Sequence, residues 1–92
     1  MADHVDITVR LPVLNPGDSS QAVGSVQEIL NDFARFNGEE TLLNQSFEFG
    51  PQTTARVKKF QQENSIAPAT GGVGVRTWKA LLQAWLPLQE PE

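Results

Sequence analysis

Phe49-Gly50-Pro51-Gln52-Thr53-Thr54-Ala55-Arg56-Val57-Lys58-Lys59-Phe60-Gln61 opens on a helix start and runs on at helical apolar spacing. Its opening phrase is written again downstream as Val73-Gly74-Val75-Arg76-Thr77. In each copy a glycine leaves the backbone free ahead of the helix and a threonine falls in the first turn. Pro51 suits the first helical position, where its missing N–H has no intrahelical partner to lose. The duplication predicts two similar units. The first of these helices runs from Gly50 to about Asn64 and buries Val57 and Phe60, with help from Thr53 and Ala55.

The second copy leads into a helix whose Val75, Trp78, Leu82 and Trp85 lie at 0, 3, 7 and 10, with Leu81 beside them. Pro87 is expected to stop it, because proline lacks the N–H that a helix interior needs. The same 0, 3, 7, 10 spacing occurs upstream in Val23, Val26, Leu30 and Phe33, widened by Ile29 and Phe36, after a cap at Ser19 or Ser20. Asn37-Gly38 ends that helix. Gly24 interrupts it at up to ~1 kcal/mol relative to alanine, which suggests the close approach of a neighbour.

Between the helices the signals are weaker. Ile7, Val9, Leu11 and Val13 alternate as in a half-buried strand, and Pro12 makes this an edge or extended arm lying on the helices or pairing with a short segment. Asn15-Pro16-Gly17-Asp18 reads as a turn. Glu39 to Ser46 is a connection with room for a short turn of helix, followed by a brief strand-like alternation at Phe47 and Phe49. Ser65 to Val73 is a loop rich in Pro, Ala, Thr and Gly. Three amphipathic helices too short to stand alone can close around one core. The expected fold is mainly α, a compact three-helix bundle with a short extended N-terminal arm over 1–13, the domain over 14–86 and a disordered tail over 87–92.

Ninety-two residues make one small domain, which buries only somewhat more than ~60% of its unfolded surface. There is no cysteine, hence no disulfide and no thiolate metal site. A net charge of −4 with Lys58-Lys59 as the lone basic pair argues against a nucleic-acid binder, which concentrates Lys and Arg on one face. No run approaches the ~20 apolar residues of a membrane span. The start, Met1-Ala2-Asp3-His4-Val5-Asp6, lacks the basic and apolar regions of a signal peptide. The chain reads as soluble, with its compartment open between a module of a larger exported protein and a component delivered by another route.

With these motifs assembled, the chain resembles the peptidoglycan-binding-like domain of bacterial cell-wall proteins, a three-helix module often joined to wall hydrolases. Leu14-x-x-Gly17 with Val23-x-x-Val26-Gln27-x-x-Leu30 is similar to the family's approach to its first helix. Phe49-Gly50-Pro51-x-Thr53-x-Ala55-x-Val57-x-x-Phe60-Gln61 resembles its central motif, and Gly74-x-Arg76-Thr77-Trp78-x-Ala80-Leu81 its last one. Most of these positions start helices or fill a core, so they specify fold more than ligand. The family usually places Asp-Gly shortly before each repeated phrase, where this chain has Ser46-Phe47 and Thr70-Gly71. Ser20 stands at the family's second glycine before the first helix.

The catalytic inventory is thin. There is no cysteine or tyrosine, and the single histidine, His4, sits in a polar terminus with Asp3 and Asp6 rather than beside a serine. Those three are too few, and too poorly framed, for a metal site. Glu39 and Glu40 are adjacent and read as solvated. A domain of this size offers no deep cleft for carboxylate-pair glycoside hydrolysis. The resemblance therefore implies a non-catalytic module, without metal or cofactor, that binds peptidoglycan and targets a partner enzyme or complex to the wall. It would then reside in the cell envelope. The alternative is a protein-docking or structural module reusing the fold.

If the ligand is a stem peptide, its carboxylates suit the helix starts at Gly50 to Thr53 and Gly74 to Thr77. Arg76 would add a bidentate contact, and Asn44, Gln45 and Gln52 would bond peptide amides. Trp78 reads as core because its stripe is apolar. Phe47 and Trp85, the latter near its helix end, are the aromatic candidates for a partner contact.

Overall fold

Ser20, held extended at φ −173° and ψ 170°, accepts a hydrogen bond at its Oγ from the Val23 amide (3.3 Å) and so caps α1, Gln21–Phe36. The computed structural model describes residues 11–39 and 41–89. In it α2 spans Pro51–Glu63 with Pro51 in the first turn, and α3 spans Val75–Gln89. Both α1 and α2 close with the same hydrogen-bonded turn. Gly38 N and Glu39 N donate to Arg35 O and Ala34 O, as Ser65 N and Ile66 N do to Gln62 O and Gln61 O.

α1 packs against both α2 and α3. Its buried stripe of Val23, Val26, Ile29 and Leu30 meets Val57 and Phe60 of α2 and Trp78 and Leu81 of α3 in one core. Phe33 lies at its edge, stacked on Phe60 with centroids 5.6 Å apart and planes within 6°. Burial of each large side chain contributes roughly 1.5–3 kcal/mol, and this cluster is the main apolar term holding three short helices together.

The extended N-terminal segment fastens the two repeated phrases to each other. Leu14 and Val73 exchange two backbone hydrogen bonds (2.9 and 2.7 Å). A little further on, Gly17 N donates to Phe49 O, Phe49 N to Asp18 O and Ser20 N to Phe47 O. Phe49 and Val73, the leading residues of the two phrases, are thereby both buried. The Trp78 Nε1 donates to Pro12 O (2.7 Å), so the arm is also tied to α3.

Several expectations need correction. Leu11 to Val13 form no strand; their neighbour Leu14 makes a single bridge, while Ile7 and Val9 lie outside the described residues, as do His4 and Glu40. No turn of helix forms over 41–46. Instead the buried Asn31 carboxamide bonds both backbone groups of Leu43 (2.7 and 3.0 Å), satisfying them without helix. Pro87 does not stop α3, which continues to Gln89, so 87–89 are helical and 90–92 lie outside the described residues. The bond Pro87 forfeits is the one to Gln83, an exposed residue in the closing part of a helix that ends at Gln89, where one lost bond costs less than in a helix interior. Phe36 (73% exposed), Val75 (57% exposed) and Ala55 point to solvent rather than into the core.

Candidate functional site

The side chains of Gln27 and Gln61 build the site's frame. Gln27 Nε2 donates to Glu48 O (3.0 Å) and Thr53 Oγ1 (3.1 Å), and its Oε1 accepts from Phe47 N (3.0 Å). Gln61 Nε2 donates to Gly72 O (2.8 Å) and Thr77 Oγ1 (3.0 Å), and its Oε1 accepts from Gly71 N (2.9 Å). The partners match one for one at the register of the repeated phrase: Phe47 with Gly71, Glu48 with Gly72, Thr53 with Thr77. Each glutamine thus clamps the loop that leads into the next helix against the threonine in that helix's first turn. Both are almost wholly buried, and all their polar atoms are paired, as burial requires.

Ser46 and Thr70 stand in for one another in the same loops. Ser46 Oγ accepts from Glu48 N (3.3 Å) and Thr70 Oγ1 from Gly72 N (3.2 Å), closing matching side-chain turns. The hydroxyls perform here the local turn-holding that an aspartate carboxylate performs elsewhere.

Beside each clamped loop lies a shallow groove at a helix start. One is floored by Gly50 and edged by Asn44, Ser46, Glu48, Gln52 and Thr53. The other is floored by Gly74 and edged by Pro68, Thr70, Gly72, Arg76 and Thr77. The two grooves are the same construction in successive repeats, with Gln52 in the place of Arg76. Their electrostatics differ: the first carries the Glu48 carboxylate, the second the Arg76 guanidinium, which rests on Ala67 O (3.3 Å) and is otherwise exposed. Thr54 N bonds Gly50 O and Trp78 N bonds Gly74 O, so the amides of Gln52 and Thr53, and of Val75, Arg76 and Thr77, precede the first intrahelical bond of their helices. α2 has no side-chain cap. Both helix starts therefore combine N–H donors with the positive end of a helix dipole, a setting that favours a carboxylate more at the α3 start, beside Arg76, than at the α2 start, beside Glu48.

The sequence-derived candidates divide among several places. Asn44 and Gln52 share the first groove, and Arg76 edges the second. Gln45 bonds Gly24 O of α1 through Nε2 (3.2 Å). Trp85 lines an apolar groove between α1 and α3 with Leu11, Pro12, Ile29 and Leu82, its Nε1 donating to Asp32 Oδ2 (2.8 Å). Trp78 is core, as its stripe predicts.

Phe47 has the most unusual position. Its φ of +66° is left-handed, and its counterpart in the second unit is Gly71 at +86°. For a bulky residue this conformation is an outlier costing roughly 1–2 kcal/mol. The ring lies against α1 at Gly24, where an added Cβ would fall 2.1 Å from two ring carbons. Gly24 is accordingly the close approach that its place in the helix suggests, and 42% of Phe47 remains exposed.

Gln27 and Gln61 are not among the sequence-derived candidates. Their signal lies in the matching pairs Val26-Gln27 and Phe60-Gln61, where a polar residue sits directly beside a core position in both units.

The family described as "Putative peptidoglycan binding domain" matches this chain over residues 19–81, which is more than half its length and includes both repeated phrases and both clamps. No curated protein matches the chain. No solved structure matches it either.

Proposed function

The chain belongs to the peptidoglycan-binding domain family, and from that premise we propose that it is a non-catalytic module that holds a partner enzyme or complex at the bacterial cell wall. The observation that carries this reading is the pair of equivalent grooves at the starts of α2 and α3. Each lies at a helix start whose first-turn amides precede the first intrahelical bond, and stem peptides of peptidoglycan supply carboxylates and amides of matching chemistry. Arg76 would engage a carboxylate, while Asn44 and Gln52 would bond peptide amides in the neighbouring groove. Two grooves on one frame would engage a repetitive polymer at two points, which raises avidity without tight individual contacts.

The test is sedimentation of the purified domain with insoluble sacculi, alongside the double variant Gln52→Ala, Arg76→Ala. Saturable binding that falls at least tenfold in the variant is the expected result. Absence of binding at low salt would overturn the reading. A second reading, docking to another protein, is favoured by the apolar groove around Trp85, and it would lead if sacculi are not bound.

A further inference from the structure

Phe47 occupies a left-handed backbone position that its repeat counterpart fills with glycine, and its ring is neither in the core nor free of the surface. Three features accommodate it: the Gln27 side chain accepts from its amide, Ser20 N donates to its carbonyl, and Gly24 leaves room for the ring. Strained residues persist where surrounding structure over-determines them, and they concentrate at ligand contacts. No such arrangement is needed to close the loop, since the second unit closes the same loop around Gly71.

We propose that Phe47 is a stacking platform for a sugar ring of the wall glycan. The inference rests on the wall-binding reading above and adds a glycan subsite to its peptide-directed grooves. The surroundings of the ring select this ligand. Helical spacing places Ser20, Gln21 and Gln27 beside Gly24, and Gln45 bonds the Gly24 carbonyl from the loop side. All are polar, and Ser20, Gln21 and Gln45 are exposed. A protein hot spot needs a rim of contacts that excludes water around its aromatic anchor. A half-exposed aromatic ring among amides and a hydroxyl instead matches a pyranose, which offers a C–H face for the ring and hydroxyls and acetamides for the polar groups.

The experiment compares binding of the wild-type domain, Phe47→Gly, Phe47→Leu and Phe47→Trp to intact sacculi and to glycan strands stripped of peptide by an amidase. Thermal unfolding is recorded for each variant. The expected result is that the wild type and Phe47→Trp bind stripped strands, while Phe47→Gly and Phe47→Leu lose at least tenfold. Phe47→Gly should keep or raise Tm, because glycine accepts the left-handed backbone. If the wild type binds sacculi but not stripped strands, or if Phe47→Leu binds strands as the wild type does, the stacking platform is overturned and the wall-binding reading stands. If Phe47→Gly lowers Tm strongly, the ring is a packing element and the proposal likewise falls. If the wild type binds neither material, both readings fall together.

Discussion

Gln27 and Gln61 make the same three hydrogen bonds to partners at equivalent places in the two repeated loops, yet the two clamps are not equally buried. All three bonds of Gln61 are in the interior, whereas the contacts of Gln27 to Phe47 N and Glu48 O are only partly buried. An unpaired polar group costs about 1–3 kcal/mol when water cannot replace the lost partner, and far less when it can. Gln61→Ala should therefore destabilise the domain by about 3 kcal/mol and Gln27→Ala by about half as much. For a domain whose total stability is of order 5–10 kcal/mol, the first is a large fraction. Urea unfolding of both variants checks the order; equal losses would mean that water reaches the Gln61 site.

The helices and their order are legible in the sequence because each carries an apolar stripe and a recognisable start, and Trp78, Leu81, Val57 and Phe60 enter the core as their spacing requires. What periodicity does not supply is the contact between distant segments. The bond from Gln61 to Gly72, the packing of Phe47 on Gly24 and the pairing of Leu14 with Val73 each depend on how loops return to the helices. Phe36 and Val75 fit the apolar stripes but lie at helix ends, where the neighbouring helix no longer covers the face. The candidate residues follow from chemistry in loops and near helix ends; which of them share a groove is visible only with the repeat in three dimensions.

Gly24→Ala sets two effects against each other. Alanine is favoured over glycine in a helix by up to ~1 kcal/mol, but its Cβ would lie 2.1 Å from the Phe47 ring. The ring must move, and such overpacking costs roughly 1–3 kcal/mol. The substitution should destabilise the wild type and stabilise the Phe47→Gly variant. A double-mutant cycle by thermal unfolding measures this reversal; the same sign in both backgrounds would show that the ring and the glycine are not coupled.

Among the described residues, Trp85 is held at the edge of its groove by a single polar side-chain contact, from its Nε1 to Asp32 Oδ2. Asp32 also receives Arg35 (3.0 Å), an exposed pair worth little by itself. Asp32→Ala should cost about 1 kcal/mol through the lost indole hydrogen bond and should shift tryptophan emission to the red as Trp85 loosens. Arg35→Ala should change neither. Emission spectra and unfolding midpoints of the two variants separate these outcomes, and an effect of equal size in Arg35→Ala would assign the stabilisation to the ion pair instead.

Gly50→Ser probes whether the start of α2 is kept uncapped for a ligand. Gly50 has an extended backbone at φ −91° and ψ −173°, a conformation open to any residue, and a Cβ there would meet nothing within 4 Å. A serine would accept from the first-turn amides and would also narrow the unfolded ensemble, for a combined gain of about 1 kcal/mol. The domain should thus become more stable. If a carboxylate of the wall peptide uses those same amides, the serine hydroxyl competes with it, and sedimentation with sacculi should weaken as Tm rises. A variant that gains stability and binds sacculi undiminished would remove the α2 amides from the binding site and leave the Arg76 groove as the one that carries the peptide contact.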